Sequence, residues 1–362
     1  MPITYALETQ FMRFTKRLAV IAALAVLTLF AMLLPSCKDQ GRKQSTGEGR
    51  SASNPAQVPP DSLFTIRFTP QWHHQSQFAG FYMALRKGFY SNYGLNVIIQ
   101  DGGSDNPAYE ALQSGTTDII TLFLLTAMNK GASSQDMVNL AQFSQRSTLM
   151  LVGKKSRGIN SVESLQGKKI GLWHSDFRDL SLAFFARNKL KVEVVPIDWT
   201  NTLFIHDAVD LINVMYYNEY HSLLMSGIEE SDLYKLRFSE LGYNIVEDGI
   251  YASRAYYDKY PTQCQAFAEA SRDGWIYALN HPEEALQVVT AIMKEHYLPS
   301  NISHQRWMLD KIGESILAKP TNLGSLLRED FDKAKALMVS QNPALSELTF
   351  EEFHPRAVTG LK

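Results

Sequence analysis

Between Leu63 and Asp101 the hydrophobic period changes twice. "LFTIRFT" alternates apolar and polar residues, the period of a half-buried strand. Phe78, Phe81, Tyr82, Leu85 and Phe89 then recur at helical spacing and form one apolar face. Gly94 closes that run, and "LNVIIQD" resumes as a strand. The pattern continues. "NPAYEALQSG" has Pro at a helix start and Gly115 past its end. "TDIITLF" is a third strand, "AMNKGA" a short helix, and "MVNLAQFS" and "STLMLVGKK" two more strands. Strands alternating with helices require α/β layering with a largely parallel sheet.

A second unit opens at "INSVESLQGKKIGLWHSD". Asn160 and Glu163 are spaced as a helix cap, "KKIGLW" is a strand, and "HSDFRDLSLAFFARNKL" a helix. "VEVVPID" and "LINVMYYNEY" read as strands, and beyond Tyr243 the chain turns mainly helical. The expected organisation is a lobe of residues 62–152 and 248–362 and a second lobe of residues 153–247. Two crossings, near Val152 and Glu247, join them. Such a layout leaves a cleft between the lobes, faced by the loops at the strands' carboxyl ends.

The N-terminus reads as an export signal. "MRFTKR" is basic, "LAVIAALAVLTLFAMLL" is uncharged, and "LPSC" follows at once. The run is near the short limit for a membrane-spanning helix. Residues 1–37 are therefore expected to be a signal, and residues 38–61, rich in Gly, Ser, Gln, Pro and charge, a flexible tether. The chain of 362 residues has net charge -2 and no basic block, which disfavours nucleic acid. With only Cys37 and Cys264, it offers neither a disulfide framework nor a zinc-ligand spacing.

Three segments carry a resemblance. "QWHHQSQFAGFYMALRKGFYSNYGLNVIIQDGG" resembles the opening of periplasmic solute-binding proteins for thiamine-pyrimidine precursors (formylaminopyrimidine or hydroxymethylpyrimidine). "SVESLQGKKIGLW" is similar to the second-lobe entry of that superfamily, and "DGIYASRAYYDKYPTQCQAFAEASRDGWIYALNHPEEA" to its return segment. The resemblance implies a two-lobed Venus-flytrap receptor that hands a small heteroaromatic to the permease of an ABC importer. It implies a monomer without cofactor or metal. "LPSC" resembles a bacterial lipoprotein signal, implying lipidation of Cys37 and a membrane-anchored, extracytoplasmic protein. An enzymatic relative, the eukaryotic pyrimidine synthase, uses a histidine and pyridoxal phosphate with iron and carries a Cys-rich run. Here the corresponding stretch is "GLWHSDF", so no enzyme is expected. A sulfonate or nitrate receptor of the same fold is the alternative; it would prefer Arg, Ser and backbone N–H groups.

The candidate site follows. Trp72, just past the first strand, is placed to stack on a flat ring. Gln75 and Gln77 each offer an amide donor and acceptor. Trp173 or His174, at a strand end that opens a helix, would face Trp72, while Ser175 or Asp176 caps that helix. Tyr216 or Tyr217 would pack the ring, and Glu219 would accept from an amine and a ring N–H. Thr121 to Leu125 end a strand that can line the cleft. His73 and His74 are adjacent and point apart, so they cannot chelate a metal together, and at least one is expected at the surface. Phe81, Tyr82, Leu85 and Phe89 are assigned to the core. The "DGGS" turn at Gly102–Ser104 is read as an ordinary strand-to-helix turn.

Overall fold

Among the residues that the computed structural model describes (63–131, 136–173, 178–198 and 200–355), ten strands form two five-stranded sheets. The signal, the tether, Cys37 and His174 lie outside the described residues. The first sheet has the order β2-β1-β3-β10-β4: β1 is Phe64–Thr69, β2 Leu95–Ile99, β3 Ile119–Phe123, β4 Met137–Gln142 and β10 Asp248–Ser253. The second has the order β7-β6-β8-β5-β9: β5 is Leu149–Lys154, β6 Lys169–Trp173, β7 Glu193–Ile197, β8 Leu211–Met215 and β9 Leu233–Arg237. In each sheet four strands run in one direction, and one inserted strand, β10 or β5, lies antiparallel between two of them. The inserted strand is in both cases the first one after the chain crosses over.

This corrects the sequence reading at one point. "STLMLVGKK" was assigned to the first lobe up to Val152, but β5 pairs with β8 and β9 in the second sheet. The first crossing therefore spans residues 143–148, and the return spans residues 238–247. Hydropathy could not separate β4 from β5, because both are mainly apolar and buried on both faces.

Five helices matter for the site: α1 (Ala79–Arg86), α2 (Glu219–Met225), α3 (Pro261–Asn280), α4 (Pro282–Glu295) and α5 (Ile302–Ile316). Helix α3 lies directly on α1. A Cβ on Gly274 would stand 2.1 Å from the carbonyl oxygen of Gly80, and one on Gly80 would stand 2.3 Å from the Trp275 ring. The Gly of "QFAGFY" is thus a helix–helix contact point that admits no side chain. Phe81 and Tyr82 are buried as expected and Phe89 packs at the core's edge, but Leu85 is 46% exposed. It sits on the margin of the stripe that α3 and α4 cover. Cys264 is buried and free, and burial pushes its thiol up to about 12, so it is inert.

The two crossings are tied by one buried side chain. The carboxylate of Glu247, from the return crossing, accepts from the Ser147 hydroxyl at 2.7 Å, the Thr148 N–H at 2.9 Å, the Thr148 hydroxyl at 2.7 Å and the Leu149 N–H at 3.0 Å. Asn244 Oδ1 accepts the N–H of Ser147 at 2.9 Å. Gln142, at the end of β4, donates to the carbonyls of Glu247 (2.8 Å) and Asp248 (3.0 Å). Replacing Glu247 by Ala strands several buried donors, so Glu247→Ala is expected to cost about 2–4 kcal/mol. Glu247→Gln, which keeps an acceptor, is expected to cost less. Urea unfolding of both variants checks this; equal losses would contradict it.

Candidate ligand-binding cleft

The carboxyl ends of β1, β3, β6 and β8 converge on a space between the sheets, with an empty volume of about 420 Å³, part of it open to solvent. One wall is Gln71, Trp72, Gln75, Gln77 and Phe123; the other is Trp173, Met215, Tyr217, Asn218 and Glu219. Six of the seven side chains singled out from the sequence as ligand-binding therefore share this cleft: Trp72, Gln75, Gln77, Trp173, Tyr217 and Glu219. The seventh, His174, is not among the described residues. Phe123 comes from the Thr121–Leu125 stretch.

The aromatic walls are held in fixed poses. The Trp173 indole N–H donates to the Asn213 carbonyl at 3.1 Å, and its own N–H to Asn213 Oδ1 at 3.1 Å. Trp72 meets it edge-on across the cleft, with ring centroids 6.1 Å apart at 89°. Trp72 packs against both of the buried apolar clusters. Tyr217 is fully buried and lines the cleft opposite Gln77. Burial raises its pKa well above the usual tyrosine range, so it stays a neutral donor.

Behind the first wall stands Asp248, the first residue of β10. Gln71 donates to its Oδ1 at 2.9 Å and Gln77 to its Oδ2 at 2.8 Å, while Gln75 donates to Gln77 Oε1 at 2.7 Å. The Gln71 N–H is held by the Thr121 hydroxyl at 2.8 Å. Gln71 is 5% exposed, yet its Oε1 accepts no hydrogen bond from the protein. A buried acceptor in that state calls for a donor. Gln71 and Asp248 escaped the sequence reading. The "DGIYAS" return was noted as a segment, but nothing local marks its Asp as the support for residues 170 positions upstream.

Glu219 differs from expectation in its setting. "MYYNEY" was read as a strand; β8 ends at Met215, residues 216–218 turn, and Glu219 begins α2. Its carboxylate accepts from the Met215 N–H at 2.9 Å and Asn218 Nδ2 at 2.8 Å, and burial pushes it up to about 7. Tyr216 points away from the cleft, between Trp307 and the Arg237 guanidinium. Of the adjacent histidines neither is at the surface: His73 is half-buried and His74 is 4% exposed. The glycines of "DGGS" serve close packing. A Cβ on Gly102 would stand 1.8 Å from the Pro70 carbonyl, and Gly103, at φ 124°, lies against the His73 ring.

Helix α5 reaches across to the second wall. The Trp307 indole donates to the Tyr216 carbonyl at 3.0 Å, and His221 stacks on Trp307 at 4.7 Å. His304 Nε2 is 3.0 Å from Asn218 Oδ1, and its Nδ1 is 2.9 Å from His221 Nδ1. All three atoms are satisfied when neutral His304 donates from Nε2 and accepts at Nδ1.

The folded chain has the periplasmic-binding-protein fold: two α/β lobes, each with one inserted antiparallel strand, and a cleft between them. By sequence it belongs to the NMT1/THI5-like family, whose model matches residues 75–285, more than half of the chain. It is 24% identical over 303 residues to the riboflavin-binding protein RibY of Chloroflexus aurantiacus, covering 80% of this chain and 83% of that protein. The periplasmic aliphatic sulphonate-binding protein SsuA of Escherichia coli shares the fold with TM-score 0.63 at 16% identity, over 83% of this chain and 94% of that one. The desulfurization enzyme DSZB does so with TM-score 0.52 at 12% identity, over 80% and 96%. The fold thus accommodates catalysis as well as binding.

The histidine contact makes a pH prediction. Burial holds His304 at about 4, below the ordinary 6.5. The native state therefore binds fewer protons than the unfolded chain between those values. The stability it draws from the contact is fully present above pH 6.5 and lost as pH falls towards 4. Glu219 and Glu247, both pushed up to about 7 from 4.5, act in the opposite sense, losing stability as pH rises through that range. The difference in unfolding free energy between wild type and His304→Gln isolates the histidine. It is expected to shrink from pH 6.5 to 4; a constant difference would contradict the assignment.

Proposed function

We propose that this protein is the extracytoplasmic substrate-binding protein of an ABC importer, anchored to the membrane by lipid at Cys37. Its ligand is a flat nitrogen heterocycle, best read as an aminopyrimidine thiamine precursor. It works as a monomer that a permease recognises once the lobes have closed on the ligand. The observation that carries the ligand class is the chemistry of the cleft lining. Three indole or phenol rings stand around a buried, unsatisfied acceptor on Gln71 and the Glu219 carboxylate, and neither lysine nor arginine is among the described lining residues. An amino group and ring N–H match those acceptors. A sulfonate or nitrate would face two acceptors and no cation, at a desolvation cost. A pyridoxal-dependent enzyme would need a lysine in the cleft.

A second reading has its own support. The relative covering most of this chain is named for riboflavin. The glutamine side chains on one wall also suit the alternating acceptor and donor edge of a flavin's pyrimidine-dione ring. The family membership supports both readings, since each ligand presents a substituted pyrimidine edge to the same wall.

A thermal-shift panel of aminopyrimidines, thiamine, riboflavin, aliphatic sulfonates and nitrate decides among them. At a hundredfold excess over Kd, the true ligand contributes about 2.7 kcal/mol, a rise of roughly 5 °C. Aminopyrimidines are expected to give it; a rise with sulfonates alone would overturn the proposal. Trp72→Ala is expected to weaken binding by about 5–150-fold, the worth of one stacked ring, while Trp72→Phe retains most of it.

A further inference from the structure

We propose that His74, Asp101 and His296 form a binding site for a divalent transition metal of the zinc class, on the far side of the loop that lines the cleft. The two sequence-adjacent histidines cannot chelate together; the partners of His74 come from elsewhere in the fold. His74 Nε2 lies 2.8 Å from Asp101 Oδ1, and His296 Nδ1 lies 2.7 Å from the same oxygen. The two imidazole rings are 4.4 Å apart, and the three ligand atoms all lie within 4.8 Å of one another. A tetrahedral ion with bonds of about 2.0–2.2 Å holds its ligand atoms about 3.3–3.6 Å apart, so the two close nitrogen–oxygen pairs would open by roughly half an ångström or more to admit it.

The three ligands come from three separate segments: His74 is buried, while Asp101 and His296 are exposed. His74 is buried and cannot swing out. Its Nδ1 is 2.8 Å from the Tyr82 hydroxyl of α1, itself buried, so Nδ1–H can donate there and leave Nε2 with its lone pair for the metal. Asp101 follows β2, and the loop after it is pressed onto Pro70 and His73 through Gly102 and Gly103. His296 ends α4. Without metal, both histidines donate to one carboxylate oxygen. With metal, each moves its proton to its other ring nitrogen, and no proton needs to leave. Two neutral imidazoles and one carboxylate leave at least one position for water or an outside ligand. The position opens on a groove that Glu295 also lines.

The consequence is mechanical. His74 sits between Trp72 and Gln75, which face the cleft, so a metal would clamp the ligand-facing loop from behind. The site does not depend on what the cleft binds.

The test uses the purified full chain after stripping with chelator. Zn²⁺ is titrated in competition with a chromophoric chelator, and Co²⁺ is followed by its visible absorption. One metal per chain is expected, with affinity in the micromolar range or tighter. His296→Ala and Asp101→Asn should each weaken it by at least about 10-fold, and the exposed His281→Ala should leave it unchanged. Circular dichroism of the metal-free variants establishes that they are folded. No stoichiometric binding, or binding indifferent to His296→Ala and Asp101→Asn, would show a plain hydrogen-bonded His–Asp–His network and overturn the proposal.

Discussion

Two polypeptide crossings side by side have to be held in register without becoming a rigid block, and the Glu247 carboxylate does this. It collects four hydrogen bonds from residues 147–149 of the other crossing. A buried carboxylate so heavily bonded is costly to move and costly to leave unpaired. The contact therefore fixes where β5 leaves the first half and where β10 re-enters it. The next residue, Asp248, is the first of β10 and supports the carboxamides of Gln71 and Gln77. Neighbouring residues at a strand start point to opposite sides. One ties the two crossings together, and the other holds the glutamines of the first cleft wall.

The contacts across the cleft show how closure can be driven. Trp72 against Trp173, Tyr217 against Gln77, and α5 against residues 216–221 bridge the two halves. A ligand shifts such an equilibrium only by binding the closed form better than the open one. A flat ring that stacks on Trp72 in either form and meets Tyr217 and Glu219 only on closure has that property.

Much of this was legible in the sequence. Changes of hydrophobic period gave the parallel units, and strand ends marked by Trp72, Trp173 and Tyr217 gave six of the cleft's side chains. What was not legible depended on partners far along the chain. β5 is apolar on both faces, so no local signal says which sheet it joins. The strand reading of "MYYNEY" failed because the chain turns at residues 216–218 and Glu219, which accepts the Met215 N–H, starts a helix despite the run of β-prone tyrosines. Leu85 followed helical period but fell outside the area its neighbours cover. Asp248 and His296 act on residues more than 170 positions away, a pairing no periodicity records.

The central claim, that a flat heterocycle closes the cleft between Trp72 and the second wall, is tested most directly by a crystal structure. The compound to use is the one that stabilises the protein most. The expected result is one ring stacked on Trp72, enclosed by Trp173 and Tyr217, with N–H groups directed at Gln71 Oε1 and Glu219. A ligand whose charged group is bound by backbone N–H groups elsewhere in the cleft, or one seated outside it, would contradict the claim.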